Sequence, residues 1–134
     1  MVIDASVLAN VVGDDVLAGQ AARACMAAAA QVSAPDLIDV ETVAVLRKRW
    51  LAGDLTARRF RSAVDDLLAL PIDRFPTGPL MIRAYELRAN VTAYDATYLA
   101  LAQGLACTLL TADGRLARAP ATKCQVDVLD ALPM

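Results

Sequence analysis

The sequence predicts an α/β domain in which a mainly parallel sheet is covered by helices on both faces. Short apolar segments of strand length alternate along the chain with longer segments of helical spacing. One segment, Ala106–Thr111, is apolar along its length, as expected of a strand that is buried on both faces of a parallel sheet. The 134 residues suffice for one such domain and are too few for two ordinary ones, so we expect a single domain over residues 1–134.

The first half of the chain is expected to hold two strands and four helices. The strands are Met1–Ile3, which ends at Asp4, and Gln31–Ala34, which Pro35 closes. Helical spacing begins at about Ser6, resumes over Val16–Ala30 after a break at residues 13–15, and returns over Asp36–Leu51. Gly53 suits the end of that third helix, and Thr56 can cap the fourth.

The second half is expected to alternate three strands with three helices. Leu70–Phe75 is a strand candidate, and Pro79 suits the first position of the helix that follows. A helix over Thr92–Gln103, with Gly104 at its C′ position, precedes the strand Ala106–Thr111. A short helix from about Gly114 and a strand over Cys124–Leu129 come last.

Composition excludes several kinds of chemistry. The chain contains no histidine, which removes Ser-His-Asp and Cys-His hydrolysis and histidine-based cleavage of RNA. Its three cysteines, Cys25, Cys107 and Cys124, form no CxxC pair and therefore predict packed thiols in a reduced, cytoplasmic protein. The longest uncharged stretch, from Ala96 to Ala112, is shorter than the roughly 20 apolar residues that span a bilayer, so we expect no membrane segment.

Two aspartates are expected at one edge of the sheet. Asp4 follows the first strand, and Asp113 follows the strand that ends at Thr111. Because ligands of a parallel α/β sheet bind beyond the carboxyl ends of the strands, both side chains are suitably placed for a site. Each also has a structural explanation, since an aspartate after a strand commonly caps the next helix.

Two further acids are expected on helices. Glu41 shares a predicted core-facing row with Leu37, Val40 and Ala44, so it is either a ligand or a rim residue paired with Arg47 or Lys48. Asp95 lies in the first turn of the helix after Thr92, where it approximates a capping box. An acid near a helix N-terminus is also stabilised as the anion, which is the form that a metal requires.

Together, Asp4, Glu41, Asp95 and Asp113 indicate a cation site. Like charges crowded at one sheet edge raise one another's pKa unless a cation neutralises them. All-oxygen, carboxylate-rich sites suit Mg²⁺ or Mn²⁺ rather than zinc. Such an ion can generate hydroxide near neutral pH and stabilise the charge that develops on a phosphodiester, which supplies hydrolysis without histidine.

Four segments of the chain resemble those of PIN-domain proteins. The segments are Val2–Leu8, Ala34–Leu37 with Glu41, Tyr94–Ala102, and Leu109–Asp113 with Arg115 and Leu116. Each segment alone is weakly specific, whereas the four in this order are strongly specific and cover nearly the whole chain. Their order, spacing and total length resemble the VapC toxins of bacterial toxin–antitoxin pairs.

The resemblance implies a three-layer α/β/α sandwich with a central, mostly parallel sheet of four to five short strands. It implies an endoribonuclease toxin that uses Mg²⁺ or Mn²⁺ and inhibits translation and growth. The catalytic and metal-binding quartet would be Asp4, Glu41, Asp95 and Asp113, with supporting hydroxyls at Ser6 and Thr111. The resemblance also implies a homodimer and a cognate antitoxin whose C-terminal segment covers the active-site groove.

The mechanism that the resemblance implies is in-line attack of water on phosphorus, which leaves a 5′-phosphate and a 3′-hydroxyl. Asp4, Glu41 and Asp95 would hold the principal metal, with Asp113 at a second or outer site. Arg115 and Arg118 follow Asp113 and are candidate phosphate contacts in the RNA substrate. The net charge of −2 does not attract nucleic acid over distance, but 11 of the 13 basic residues are arginine, whose fork suits phosphate.

Two other functions stay open. A receiver-like module also gathers acids at a sheet edge, but it requires a lysine after the last strand, and Lys123 precedes that strand. The stronger alternative is a catalytically inactive PIN-fold module that binds RNA or protein without cutting. Metal-dependent turnover separates that module from the nuclease.

Overall fold

In the computed structural model, which describes residues 1–119 and 124–129, five short strands form one parallel sheet. They are β1 (Val2–Ile3), β2 (Ser33–Pro35), β3 (Asp73–Phe75), β4 (Leu109–Thr111) and β5 (Val126–Val128), in the order β3-β2-β1-β4-β5. The predicted sheet of four to five strands is confirmed, and every pairing within it is parallel. Lys123, on which the receiver-like alternative depends, lies outside the described residues.

Helices cover both faces of the sheet. They are α1 (Ala5–Gly13), α2 (Leu17–Ala28), α3 (Ile38–Leu51), α4 (Ala57–Ala69), α5 (Met81–Glu86), α6 (Ala93–Gly104) and α7 (Gly114–Ala117), and a 3₁₀ turn at Gly78–Leu80 leads into α5. Helix α1 packs against α2, α3 and α4, whereas α6 packs against α5 and lies on β1, β2 and β4. The three-layer α/β/α architecture is therefore confirmed.

The core between the layers is almost wholly aliphatic. Val2 and Ile3 of β1 are fully buried, and every residue of α6 from Ala96 to Ala102 is buried. Full burial of a Val, Leu or Ile side chain contributes about 1.5–3 kcal/mol relative to exposure, so this packing holds β1 and α6 in fixed positions. Among the described residues, no helix is long and apolar enough to cross a membrane.

The direction of winding reverses between β1 and β4, at the centre of the sheet. The chain runs outward from β1 through β2 to β3, and then returns to place β4 on the other side of β1. Such a reversal opens a crevice beyond the carboxyl ends of the two central strands, because the connections leave to opposite sides. The residues that follow Ile3 and Thr111 are the ones that border this crevice.

Helices α3 and α6 end in the same type of hydrogen-bonded turn, and the end of α6 differs from the prediction. After α3, the N–H groups of Gly53 and Asp54 bond to the carbonyls of Trp50 and Arg49, and Gly53 takes the expected positive φ of 82°. After α6, the N–H groups of Ala106 and Cys107 bond in the same way to Gln103 and Ala102, and Ala106 has φ of 51°. The predicted C′ position of Gly104 is wrong, because Gly104 is the last residue of the helix and the left-handed residue is Ala106.

This turn also explains why β4 is shorter than predicted. The predicted strand begins at Ala106, but residues 105–107 complete the hydrogen bonds at the end of α6. Pairing with β1 and β5 begins only at Leu109. Strand β2 is displaced toward the C-terminus in a similar manner, since it ends with Pro35 rather than before it.

Candidate active site

Asp4 lies at the junction of β1 and α1 and is the most deeply buried acid of the predicted quartet, with 7% of its surface exposed. Its Oδ1 accepts hydrogen bonds from the backbone N–H groups of Ser6 (3.1 Å) and Val7 (3.2 Å), so Asp4 caps α1. The same Oδ1 accepts the Ser6 hydroxyl at 2.5 Å, and Oδ2 accepts the Thr111 hydroxyl. Asp4 therefore caps a helix and also lies beyond the carboxyl end of its strand, where a site is expected.

Backbone groups fix the direction of both hydroxyls. The N–H of Ala112 donates to Ser6 Oγ at 3.0 Å, and the N–H of Asp113 donates to Thr111 Oγ1 at 3.0 Å. Because each oxygen already accepts a backbone proton, its own proton is free to point at Asp4. The segment at the end of β4 thus fixes the orientation of the Asp4 carboxylate, which follows β1. Burial raises the pKa of Asp4 even though four hydrogen bonds oppose the shift.

Glu41 lies in α3, with its carboxylate beside the Tyr98 hydroxyl of α6. Glu41 Oε1 and the Tyr98 hydroxyl are buried, and neither has a hydrogen-bond partner among the described residues. Burial raises the pKa of Glu41, and the charges of Asp95 and Asp4 raise it further, against the opposing effect of Tyr98. The alternative of an ion pair with Arg47 or Lys48 is not found among the described residues.

The predicted core-facing row around Glu41 is wrong. Val40 is 75% exposed and Ala44 is exposed as well, whereas the buried face of α3 consists of Ile38, Thr42 and Leu46. A threonine at the central position of that face interrupts the apolar pattern, which is why the sequence favoured the neighbouring row. Glu41 lies at the border between the two faces, and its partial burial follows from this position.

Asp95 lies in the first turn of α6, after the cap that the sequence predicts. The Thr92 side chain accepts the Asp95 N–H at 3.2 Å, which begins the helix there. Burial raises the pKa of Asp95, and the charges of Asp4 and Asp113 add to the shift, while Thr92 and Arg115 oppose it. Asp95 is therefore electrostatically linked to the other three acids.

Asp113 differs from the other three acids because its carboxylate forms a salt bridge with an arginine. Its carboxylate caps α7 by accepting the Arg115 N–H at 3.0 Å, and both of its oxygens also accept the Arg115 guanidinium, at 3.1 and 3.0 Å. These bonds lower the pKa of Asp113. The pair lies at the surface, with 85% of the Arg115 side chain exposed and 34% of that of Asp113.

The fold therefore brings Asp4, Glu41 and Asp95 within electrostatic reach of one another and places Asp113 beside Asp95. No group of three or more His, Cys, Asp or Glu side chains in the described part of the chain is close enough to hold a metal ion as it stands. The oxygens present are the hard donors that Mg²⁺ and Mn²⁺ prefer. The unpartnered Glu41 Oε1 is one such donor. The donor chemistry thus fits the ion, and coordination requires the carboxylates to approach one another.

Two depressions adjoin the acids. A cleft of about 490 Å³ exposes Asp95 and Asp113 together with Arg88, Asn90 and Arg115. A second depression of about 430 Å³ lies beside Glu41 and is mainly apolar, with Val40, Ala44, Val45, Lys48 and Tyr94 along it. The predicted Arg118 lies over Gly114, where a Cβ would be 3.2 Å from its Nη1, and its charge helps to lower the pKa of Asp113.

Sequence reasoning favoured a core position for Tyr98 without placing it beside Glu41, and it missed Arg88. Tyr98 follows Asp95 by three residues, so helical spacing could have placed the two on one face. Arg88 has no such signal, because the turn after α5 is what brings it to the cleft. Its guanidinium lies 4.0 Å from the centre of the Tyr85 ring, which holds it at the rim.

Comparison with known proteins gives consistent matches over most of the chain. A family model described as PIN domain matches residues 1–121. Ribonuclease VapC1 of Mycobacterium tuberculosis is 41% identical over 98 residues, which are 72% of this chain and 74% of that protein. A VapC ribonuclease of Mycobacterium bovis is 38% identical over 130 residues, which are 96% of this chain and 98% of that protein.

Solved structures show the same fold at lower identity. The crystal structure of Mycobacterium tuberculosis VapC20, described as a toxin that cleaves the sarcin–ricin loop, has a TM-score of 0.67 at 17% identity and covers 87% of this chain and 92% of its own. The crystal structure of PAE2754 from Pyrobaculum aerophilum has a TM-score of 0.67 at 22% identity, with 95% of this chain and 82% of its own covered. These two likenesses concern the architecture alone.

Proposed function

Because this chain belongs to the PIN-domain family, within its group of VapC-type toxins, we propose that it is an endoribonuclease that requires Mg²⁺ or Mn²⁺ and inhibits translation and growth. The proposal draws on relatives that are named ribonucleases and that match up to 96% of the chain. It draws equally on the acids at the crevice between β1 and β4.

The observation that carries the proposal is the burial of three acids beside the crevice, fully at Asp4 and partly at Glu41 and Asp95. Burial raises the pKa of each, and the negative charge of a neighbouring acid of the set raises the pKa of Glu41 and Asp95 further. None of the three forms a salt bridge to a described residue. Buried carboxylates that repel one another and have no cationic partner are unfavourable for stability, and a divalent cation relieves that repulsion.

We assign the principal ion to Asp4, Glu41 and Asp95, with Asp113 at a second or outer position. When bound, the ion would supply charge stabilisation for the phosphodiester and lower the pKa of water. Ser6 and Thr111 hold Asp4 in one orientation, which keeps its carboxylate in place without reorganisation. Arg115 and Arg88 line the cleft beside Asp95 and would bind phosphates of the RNA, and Arg118 would extend that basic surface.

The expected cleavage leaves a 5′-phosphate and a 3′-hydroxyl. This follows from the mechanism that the resemblance implies, in which water attacks phosphorus in line and the 2′-hydroxyl takes no part. A 2′,3′-cyclic phosphate product would contradict the assignment of the acids. Mass spectrometry of the product ends distinguishes the two outcomes.

The test is cleavage of a mixed small-RNA pool with Mg²⁺, with Mn²⁺ and with EDTA. The Asp4→Asn variant is the key comparison, because asparagine also caps helices well and should preserve α1. We expect its cleavage rate to fall by at least about 100-fold, the usual loss when an electrostatic group of an active site is removed. Asp54→Asn makes the same chemical change at an exposed residue away from the acids and should cleave like the parent protein.

Near-normal cleavage by Asp4→Asn would remove Asp4 from the site. No cleavage by folded protein under any metal condition would favour the inactive module that binds RNA or protein. Binding of labelled RNA without turnover would then identify which ligand that module takes.

We also propose a cognate antitoxin, a homodimer and a cytoplasmic location, in line with the VapC relatives. The apolar depression beside Glu41 supports the antitoxin, because Val40 is 75% exposed and Tyr94 64% exposed next to an acid of the site. A partner segment with apolar side chains and a basic residue would complement that surface. Protection of Tyr94 in the complex, measured by hydrogen exchange, tests this placement.

A further inference from the structure

Two cysteines lie just before the paired parts of β4 and β5. Leu109 of β4 pairs with Val126 of β5, and Cys107 and Cys124 each precede that pair by two residues. The bond from the Leu109 N–H to the Gln125 carbonyl, at 3.0 Å, holds the two segments together at this end. Neighbouring strands lie about 4.8 Å apart, and disulfides join residues whose Cα atoms are about 4.4–6.8 Å apart. The pairing therefore brings the two cysteines to the same end of neighbouring segments, whose spacing suits a covalent link.

The surroundings of the two cysteines agree with the register. Both residues line one cavity of about 370 Å³, together with Gln103, Ala106 and Thr108. Both are partly buried against the core without being sealed inside it, so a small reagent can reach them. Burial raises the pKa of the Cys124 thiol, and Cys107 raises it further, which is a sign of their proximity.

We propose that Cys107 and Cys124 are a redox modification site that forms an intrachain disulfide when a small-molecule disulfide such as oxidised glutathione is present. The Cys107 thiolate attacks one sulfur of the oxidant, which releases one glutathione thiolate and leaves a mixed disulfide. The Cys124 thiolate then attacks the Cys107 sulfur and releases the second glutathione. The two cysteines lose two protons and two electrons in total, and the oxidant gains two electrons to become two thiols.

The link would constrain the part of the chain that carries the fourth acid. Within the described part of the chain, β5 is an edge strand that pairs with β4, so its position depends on that pairing. The chain between the cysteines includes Thr111, Asp113 and Arg115. A disulfide closes this segment into a loop and removes conformational freedom from it. The proposal does not depend on the proposed function, because it concerns cysteines that no step of RNA cleavage uses.

The test is oxidation of the folded full chain by glutathione, followed by alkylation and non-reducing peptide mapping. Trypsin should yield the peptide of residues 89–115 joined to the peptide of residues 124–134, with a mass lower by two hydrogen atoms than the sum of the two. The link should form at least about tenfold faster in the folded protein than in the urea-unfolded chain, because folding raises the effective concentration of one thiol near the other. Amide exchange over residues 126–128 should slow in the oxidised form.

Two variants serve as matched controls. Cys25→Ser removes the thiol of α2 and should leave the link intact, whereas Cys124→Ser should stop at the glutathione adduct on Cys107. Equal rates in folded and unfolded protein, or a link that involves Cys25, would overturn the proposal. An oxidised protein whose β5 amides exchange as fast as those of the reduced protein would overturn the constraint on β5. Loss of RNA cleavage in every form would disprove the proposed function and leave this result unaffected.

Discussion

The same substitution, threonine to valine, should have opposite effects on stability at two buried positions. Thr111 and Thr42 are both fully buried, and valine keeps the size and branching of either side chain. They differ in their hydrogen bonds. The Thr111 hydroxyl donates to Asp4 and accepts from the Asp113 N–H, whereas the Thr42 hydroxyl has no partner among the described residues.

The magnitudes follow from those contacts. A hydrogen bond to a charged group contributes about 1.5–3 kcal/mol, and replacing the hydroxyl by a methyl group returns roughly 0.8 kcal/mol of apolar burial. Thr111→Val should therefore lower the free energy of unfolding by about 1–2 kcal/mol, or the melting temperature by roughly 4–8 °C. Thr42→Val removes a buried hydroxyl that no described residue bonds, so it should raise the free energy of unfolding by about 0.5–2 kcal/mol.

Urea denaturation followed by circular dichroism at pH 7 measures both changes. The Thr111→Val deficit should shrink at pH 4, because burial raises the pKa of Asp4 and the acid then becomes protonated as the pH falls. A Thr111→Val protein as stable as the parent would show that the bond to Asp4 contributes nothing net. Destabilisation by Thr42→Val to the same extent would show that the hydroxyls matter only for packing.

Three further predictions concern a helix end, the acids and the arginine at Asp113. Ala106→Gly should raise the free energy of unfolding by about 0.5–1 kcal/mol, because Ala106 takes the left-handed conformation that Gly53 takes in the equivalent turn. Thermal unfolding measures the change, and no gain in stability would refute the strain at Ala106. Asp4, Glu41 and Asp95 have raised pKa values, so they contribute stability that is present below their unfolded pKa, near pH 4, and is lost as the pH rises through their folded pKa. Mn²⁺ should therefore raise the melting temperature at pH 7.5 and hardly at pH 4.5. An equal rise at both pH values would refute this. Arg115→Gln should tighten Mn²⁺ binding about two- to fivefold, because it frees the Asp113 carboxylate from its ion pair, whereas Arg88→Gln should leave Mn²⁺ binding unchanged. Calorimetric titration in the absence of RNA measures both affinities. Equal effects of the two substitutions would assign the change to net charge.

Much of the fold could be predicted because strands and helices alternate with clear breaks. Asp4 and Asp113 were placed correctly at the sheet edge, since the end of a buried apolar strand is visible in the sequence. The position of Glu41 was less accurate, because Thr42 occupies the core-facing row of α3 and a polar residue there hides the true apolar face. Burial of that threonine depends on the helices around it, which local sequence does not describe.

Other features depend on contacts between distant parts of the chain. The bond from Thr111 to Asp4 joins residues that are 107 positions apart, and nothing local to either residue specifies it. Ala106 escaped prediction because the preference for glycine at such turns pointed to Gly104 instead. The pairing of Arg115 with Asp113 is a choice between rotamers at the surface, where several conformations have similar energies.

The central place of β1 has a consequence for the order of events during synthesis. Strand β1 is translated more than 100 residues before β4, which is one of its two neighbours in the sheet. At about 5–20 residues per second, roughly 5–20 s separate the two on the ribosome. During that interval Asp4 lacks the Thr111 hydroxyl and one edge of β1 is unpaired. A chain released before residue 109 has no strand to fill that edge, so the site can assemble only after β4 has been translated.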